Sequence, residues 1–320
     1  MLGKKDPTLV TQLQALVDDA TAGDPMTGWR WTHKSTRKVA KAMRRLGFTI
    51  GATTVGRLLR ERQYSLRTNR KRLARTHEPD RDRQFRYITR QRRRFQNQGN
   101  PAISIDTKKK EQVGLFKNPG RTWRRQPIDV LDHDFPSDAI GRAIPFGVYD
   151  GQRRTGFVAV GVSHETAEFA GAALSRWWQD HGRRRYPQSN RWLIEADCGG
   201  ANNVRHWRWK WALQQLADRW NVAITVAHYP PGASKWNPIE HRLFSHISAN
   251  WQGEPLRDYE TILNFIASTT TETGLRCFAI LDNETYPTKL KVTKEQRSMI
   301  RIKRSRVLPD WNYTILSRRK

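Results

Sequence analysis

Two short apolar runs, each ending in an aspartate, constrain the fold of this 320-residue chain more than any other feature. One run, Ile103-Ser104-Ile105, leads into Asp106, and the other, Leu193-Ile194-Glu195-Ala196, leads into Asp197. Short apolar runs of this kind are typical of buried β-strands. The pattern therefore predicts two strands that each carry a carboxylate at the C-terminal end.

A third acid, Glu240, follows a strand and a stiff Pro230-Pro231 loop, in the first turn of a predicted helix. This glutamate has a structural alternative, because Asn237 as N-cap, Pro238 at the first helical position and Glu240 at the third would form a capping arrangement. Asp106 could likewise end a strand beside a basic turn, and Asp197 could belong to a turn with Gly199. Their joint placement on two strand ends and a helix start favours a shared site.

Carboxylates in this arrangement suit phosphodiester chemistry. Two divalent cations can hold the attacking and leaving oxygens in line, and Mg²⁺ prefers oxygen ligands. We therefore predict that Asp106, Asp197 and Glu240 are both catalytic residues and metal ligands, with Mg²⁺ as cofactor and Mn²⁺ as a substitute.

The charge balance indicates a polyanionic partner. The chain has 58 Lys and Arg against 30 Asp and Glu, a formal net charge of +28, which would be self-repelling without nucleic acid. No apolar run approaches the roughly 18 residues of a membrane span, and the N-terminus shows no apolar signal segment. Two cysteines provide neither a disulfide framework nor a typical zinc site. These features predict a soluble, cytoplasmic, nucleic-acid-binding protein.

The first 76 residues have helical spacing. Helices are predicted over 9–17, from Ser35 or Thr36 to Gly47, and after Gly51 with Thr53 or Thr54 as cap. A helix, a glycine-bearing turn and a basic helix outline a helix-turn-helix, and a small helical bundle with a charged outer face remains the alternative.

The segment from Arg67 to Gln98 is strongly basic, with a helix predicted to open near Pro79. Phosphate contacts would relieve its repulsion, whereas a solubilising surface or linker is the alternative. The predicted DNA-binding residues are Arg57, Arg60, Arg62, Arg70, Lys71, Arg72, Arg92, Arg93 and Arg94.

After residue 100 the pattern changes to short strands, with a hairpin predicted from 144–149 and 156–162, followed by helices that alternate with strands. The order β-β-β-α-β-α-β-α is that of the ribonuclease H fold. The predicted class is α/β: a ribonuclease H-like mixed sheet flanked by helices, preceded by an all-α helix-turn-helix region. The predicted domains are 1–76 (helix-turn-helix), 77–100 (basic linker helix), 101–285 (catalytic) and 286–320 (C-terminal basic extension).

Tryptophans also alternate with basic residues at Trp207, Trp209 and Trp211, where stacking on bases is one interpretation. Core packing is favoured for most of them, because Trp209 falls on the apolar face of a predicted helix.

Several motifs resemble the Rhodopirellula-type DDE transposases of bacterial insertion sequences, a group within the broad mariner-like superfamily. They are Ser65-Leu66 to Asn69-Arg70-Lys71, Ile105 to Glu111, His133-Asp134-Phe135-Pro136, Pro145 to Asp150, and Pro230-Pro231 through Ser234-Lys235-Trp236-Asn237 to Glu240. The resemblance implies that Asp106, Asp197 and Glu240 are the catalytic acids. It also implies metal-dependent cleavage of double-stranded DNA at terminal inverted repeats and strand transfer into target DNA. A homo-oligomer assembled on DNA, associated with the bacterial nucleoid, is the expected state.

The sequence departs from the family pattern at Cys198, where a glycine is usual. If this position adopts a positive φ, the cysteine would strain the turn, and its thiolate would favour softer metals. Members of the family also commonly carry a further helical segment upstream, so a shortened copy is expected. The alternatives are therefore a degenerate copy that only binds DNA, and another ribonuclease H-like nuclease.

Overall fold

The computed structural model describes residues 7–19, 21–23, 30–32, 35–65 and 79–319, and the chain divides into two compact units between Leu73 and Ala74. The elements of the first unit are α1 (Pro7–Asp19), β1 (Thr21–Gly23), β2 (Arg30–Thr32), α2 (Thr36–Arg45) and α3 (Ala52–Glu61). The strands β1 and β2 pair antiparallel, so the region predicted as all-α also contains a small sheet. Strands of three residues are too short to show an alternating apolar pattern in the sequence.

The boundaries of α2 follow the predicted signals. The hydroxyl of Ser35 accepts a hydrogen bond from the Lys38 N–H at 3.3 Å, and Gly47 takes a φ of +87° just after the helix. Helix α3 differs, because Gly51 is its N-cap and neither Thr53 nor Thr54 caps it. Buried apolar side chains from the three helices form one core: Leu13, Val17, Val39, Met43, Val55 and Leu58.

The second unit begins with α4 (Arg81–Asn97) and continues through β3 (Ala102–Thr107), β4 (Glu111–Val113), β5 (Gly141–Asp150) and β6 (Thr155–Gly161). Helices and strands then alternate through α5 (Ala167–Trp177), α6 (Arg183–Arg185), β7 (Arg191–Ala196), α7 (Trp207–Trp220) and β8 (Ala223–His228). The last elements are α8 (Ser245–Trp251), α9 (Tyr259–Ala267), β9 (Arg276–Asp282), α10 (Lys294–Ser298), β10 (Ile302–Arg304) and β11 (Asn312–Ile315).

Nine of the described strands form one mixed sheet in the order β10-β11-β8-β7-β3-β5-β6-β9, with β4 paired to β5. Strands β3, β7 and β8 run parallel, whereas β5 is antiparallel to both β3 and β6. Helices α5 and α7 pack on one face, and α8 and α9 pack on the other. This arrangement confirms the predicted ribonuclease H-like mixed sheet flanked by helices.

Large aromatic side chains fill the core under α5 and α7. Trp177, Trp192 and Trp209 are almost completely buried, which confirms the packing role predicted for Trp209. The other face of the sheet is covered by Leu243, Ile262 and neighbouring apolar residues. The strands that carry the two aspartates are covered on that face by α4, where Ile88 belongs to one buried cluster with Ala102 of β3 and Leu193 of β7. Both faces of these two strands are therefore held by packed cores.

The segment 286–320, expected to be a basic extension, supplies β10 and β11 to the sheet. These strands are short and carry basic residues, so their sequence lacks a continuous apolar run. The predicted linker helix α4 also packs on the sheet. The fully buried amide of Gln84 donates to the Asn312 side chain and to the backbone carbonyl of His228, both at 2.7 Å.

Candidate active site

The two aspartates meet at one edge of the sheet. Asp106 lies near the C-terminal end of β3, and Asp197 directly follows β7. The two strands are parallel neighbours, and Ile105 pairs with Ala196 one position earlier. The third acid, Glu240, lies at the start of a helical turn, and all three side chains are partly exposed.

The acids interact electrostatically. Burial, followed by the charge of Asp197, raises the pKa of Asp106 to about 8, against the opposing hydrogen bond from the Thr107 N–H at 2.8 Å. Burial also raises the pKa of Glu240, and Asp197 adds to this increase, while Lys108 and a hydrogen bond with Asp106 oppose it. The three acids selected from the sequence therefore lie close enough to influence one another's protonation.

The position of Glu240 is set by the buried side chain of Asn237. Its amide donates to the carbonyl of Ile105 at 3.0 Å, and its oxygen accepts from the hydroxyl of Ser104. The same hydroxyl accepts the backbone N–H of Ile239 at 3.2 Å. Asn237 does stand directly before the first helical residue, Pro238, with the extended backbone of an N-cap. Its side chain, however, anchors the helix start to β3, a contact distant in sequence that local pattern could not show.

The helix that bears Glu240 starts with a wide π-turn, Glu240–Phe244, before α8. Its close approach to the sheet requires Gly147, which pairs with Asp106 across β3 and β5. A Cβ at Gly147 would lie 2.6 Å from the ring of Phe244 and 2.8 Å from Ile239. This glycine lets the helix lie directly against the strand beside Asp106.

Neighbouring groups also fix Asp197. Nδ1 of the fully buried His228 lies 2.6 Å from the Asp197 backbone carbonyl, and burial lowers the histidine pKa to about 4, so the ring is neutral and donates. One carboxylate oxygen of Asp197 accepts the Gly199 N–H at 3.0 Å and the Asn202 amide at 3.2 Å. These bonds orient the carboxylate from both sides of the turn.

The turn after Asp197 does not strain Cys198. Gly200 takes the positive φ, +57°, and Cys198 lies outside the left-handed region, so the expected strain is absent. The thiol of Cys198 donates to the backbone carbonyl of Tyr229 at 3.1 Å. The cysteine is thereby directed towards β8.

A fourth acid, Glu165, was missed by the sequence analysis. One of its carboxylate oxygens lies 3.0 Å from the Lys110 ammonium group, and the other accepts the Ala201 N–H at 3.3 Å. Its charge contributes to the raised pKa of Asp106. Glu165 precedes α5 in a segment without a distinctive motif, so only the folded chain reveals its proximity.

Lys108 was also missed. This buried ammonium group lies 2.9 Å from Glu111 and 4.3 Å from the centre of the Trp251 ring. Burial lowers its pKa, with opposing effects from Glu111 and Glu240. The lysine supplies positive charge beside the acids from within the fold.

The donor set is suited to a hard divalent cation. Three carboxylates are oxygen ligands of the kind that Mg²⁺ and Mn²⁺ take. Burial, and after it the charge of Asp197, raises the pKa of Asp106, and a bound cation would favour the ionised carboxylate against both effects. Within the described ranges, no three acidic, histidine or cysteine side chains already converge as a metal-binding group. The residues therefore fit the metal in chemistry and charge, without a preformed cage.

The predicted DNA-binding arginines of α3 and its end are exposed. Arg57 lies 3.8 Å from Glu61, Arg62 donates to Gln14 at 2.9 Å, and Arg60 points outward. Residues 70–72, which hold the predicted Arg70, Lys71 and Arg72, lie outside the described residues.

On α4, Arg93 and Arg94 are exposed, but Arg92 is directed inward. Its guanidinium binds both carboxylate oxygens of the buried Glu195 and donates to the Tyr229 hydroxyl at 2.9 Å. The prediction that Arg92 contacts DNA is therefore corrected by this network. Like-charged neighbours in the sequence concealed a buried partner about a hundred positions away.

None of the described helices has the length and apolarity needed to cross a membrane. No curated protein matches the sequence. Among solved structures, the Mos1 transposase paired-end complex with left transposon end is similar, at 14% identity and a TM-score of 0.41, covering 80% of this chain and 69% of that chain. The Mos1 strand transfer complex is similar at 13% identity and a TM-score of 0.43, covering 80% of this chain and 68% of that chain. The Mos1 mariner paired-end complex with Mn is similar at 14% identity and a TM-score of 0.41, covering 80% of this chain and 69% of that chain.

The family model described as the Rhodopirellula transposase DDE domain matches residues 12–317, nearly the whole chain. The chain therefore belongs to the Rhodopirellula-type family of DDE transposases, enzymes of DNA transposition.

Proposed function

We propose that Asp106, Asp197 and Glu240 are the catalytic carboxylates with which this transposase cleaves DNA at transposon ends and transfers the strand to target DNA. The observation that carries the proposal is the convergence of the two aspartates at the ends of adjacent parallel strands, with Glu240 anchored beside them through Asn237.

The three carboxylates are the proposed ligands of Mg²⁺, with Mn²⁺ as a substitute. When bound, divalent cations would activate a water molecule and stabilise the leaving oxygen. The surrounding side chains position the ligands: His228 holds the backbone of Asp197, and Asn237 holds the start of the helix that carries Glu240.

The remaining surfaces support binding of double-stranded DNA. We assign terminal-repeat recognition to the helix-turn-helix region, residues 1–76, where Arg57 and Arg60 are exposed on α3. Residues 77–100 would add phosphate contacts through Arg93 and Arg94, while 101–285 carry the chemistry. Assembly of a homo-oligomer on paired transposon ends, at the bacterial nucleoid, completes the proposal.

The decisive experiment incubates the protein with terminal inverted-repeat DNA and Mg²⁺ or Mn²⁺ and measures strand nicking. Cleavage should require the metal, should stop on chelation, and should be lost in Asp106→Asn, Asp197→Asn and Glu240→Gln. The control Asp180→Asn, which removes a carboxylate that pairs with Arg176 away from the site, should cleave normally. Normal DNA binding by the parent protein without any cleavage would instead support a copy that only binds DNA.

A further inference from the structure

A second feature of the catalytic unit is a cavity of about 580 Å³ that opens beside the acidic edge. Its walls are the start of α5, the turn after Asp197 together with the first residues of α7, and residues 287–292 with Arg297. Glu165 and Gly200 line the end nearest the acids, because Glu165 contributes to the raised pKa of Asp106 and Gly200 belongs to the Asp197 turn. A ligand in the cavity would therefore extend towards the site of cleavage.

The cavity is positively charged. Its two acids are already paired, Glu165 with Lys110 at 3.0 Å and Glu168 with Arg208. The lining also carries three exposed cations for which the described residues provide no carboxylate partner: Arg205, Lys289 and Lys291. An anionic ligand would relieve this excess of positive charge.

The aromatic ring of Trp207 also lines the cavity, and two further cations lie against it. The guanidinium carbon of Arg297 is 5.4 Å from the centre of the Trp207 ring, and the Lys210 ammonium is 5.3 Å from it. Trp207 is only partly buried, in contrast to the core residue Trp209. A cationic groove combined with an aromatic side chain is the usual composition of a site for single-stranded nucleic acid.

Residues 287–292 line this cavity, called the groove from here on, and include one residue in a rarely adopted backbone conformation. Lys289 has a φ of +60°, a region that residues other than glycine rarely adopt. Such conformations concentrate at functional sites. Lys289, Lys291 and Arg297 all line the groove.

We propose that this groove binds a single DNA strand through its phosphates, next to the catalytic acids. The claim that the strand extends towards Asp106 and Asp197 rests on the proposed function. The claim that the ligand is anionic rests on the charge of the groove itself. A cavity of about 580 Å³ has the size of a small-molecule site. This volume suits a short stretch of unpaired strand better than a double helix, and Arg205, Lys289 and Lys291 would supply its phosphate contacts. DNA is favoured over RNA because the chain belongs to a family of DNA transposases.

The first test measures the affinity of the full chain for a fluorescent single-stranded oligodeoxynucleotide across a salt series, without metal. The variant Arg205→Ala/Lys289→Ala/Lys291→Ala should bind less tightly, and the slope of log K against log salt should flatten by about 0.7 for each phosphate that the variant no longer neutralises. The matched control Arg183→Ala/Arg184→Ala/Arg276→Ala removes three exposed cations around the strand ends opposite the acids and should change binding much less. Equal losses of affinity in the two triple variants would overturn the proposal.

A second test locates the strand by photo-cross-linking with a 4-thiothymine oligodeoxynucleotide and peptide mapping. Cross-links should fall on 205–208 and 287–297 and should disappear in the groove variant. Cross-links confined to α4 would overturn the proposal. It would also be overturned if an unlabelled RNA strand of the same sequence competed for these cross-links more strongly than the DNA strand does. Neither test requires cleavage. Failure to nick DNA would therefore refute the proposed function, and strand binding in the groove could still be detected.

Discussion

Asn237 and Ile105 are joined by a buried hydrogen bond of 3.0 Å from the asparagine amide to the strand carbonyl. Ile105 directly precedes Asp106, and Asn237 lies three positions before Glu240. One side chain therefore fixes the distance between two of the proposed metal ligands. Precise support of this kind is what a carboxylate site needs before it can hold an ion in a productive geometry.

We expect Asn237→Ala to reduce the rate of cleavage by more than its loss of unfolding free energy alone would explain. The change leaves the Ile105 carbonyl buried without this donor, which costs about 1–3 kcal/mol of unfolding free energy, and it releases the start of the Glu240 helix. Denaturant unfolding and metal-dependent nicking measure the two effects. The control Asn118→Ala removes an amide that donates to the Trp251 carbonyl at 2.8 Å, and it should lower stability alone. Parallel losses of activity in both variants would show that Asn237 acts only through stability.

The acids were predictable from the sequence, whereas the groups that position them were not. Asp106 and Asp197 each end an apolar run, which is a local signal of strand and carboxylate together. The contacts of Asn237, Gly147 and Glu165 join segments that are distant in the chain, and a single sequence contains no local trace of them. The strands β10 and β11 escaped prediction for a related reason, since pairing with the sheet gives them a structure that their own short basic sequences do not specify.

Arg92 and Arg93 should respond in opposite ways to truncation. Arg92→Ala leaves Glu195, 2% exposed, without its guanidinium, and we expect a loss of roughly 3 kcal/mol in unfolding free energy. Arg93→Ala should leave stability unchanged and weaken DNA binding, with a smaller salt dependence. Chemical denaturation combined with fluorescence anisotropy on duplex DNA separates the two. A stable Arg92→Ala protein would contradict the buried network.

Asp106 should make the metal-free protein less stable as the pH rises. Its pKa is raised to about 8 from an ordinary value near 4, so the folded state binds the proton more tightly than the unfolded state does. The stability that protonation supplies is therefore complete below about pH 4 and is lost as the pH rises to about 8. With chelator present, Asp106→Asn should gain stability over the parent between pH 5 and 8.5. Adding Mg²⁺ should stabilise the parent and not the variant. An identical pH dependence in the two proteins would show that Asp106 is not perturbed.

Replacing Cys198 by the glycine usual in the family should not improve the enzyme. The residue lies outside the positive-φ region, and its thiol donates to the Tyr229 carbonyl, so Cys198→Gly removes this hydrogen bond and adds freedom to the unfolded chain. We expect a loss of about 0.5–1 kcal/mol in unfolding free energy and an unchanged preference for Mg²⁺ and Mn²⁺ in the nicking assay. If Cys198→Gly were more stable than the parent, Cys198 would be shown to strain the turn after all.

Gly200 should be far less tolerant of substitution than Gly199. At Gly200 the φ is +57°, and a Cβ would lie 2.5 Å from the Glu165 carboxylate, whereas a Cβ at Gly199 would meet Asp197 at an ordinary 3.4 Å. Gly200→Ala should therefore cost about 1–3 kcal/mol from the backbone alone and slow cleavage by displacing the turn that orients Asp197. The double variant Gly200→Ala/Glu165→Ala separates the two causes, because it removes the clash and keeps the backbone strain. If the double variant recovers cleavage but not stability, the loss of activity in Gly200→Ala is due to the clash with Glu165. If Gly200→Ala loses neither stability nor cleavage, the described geometry of the turn is refuted.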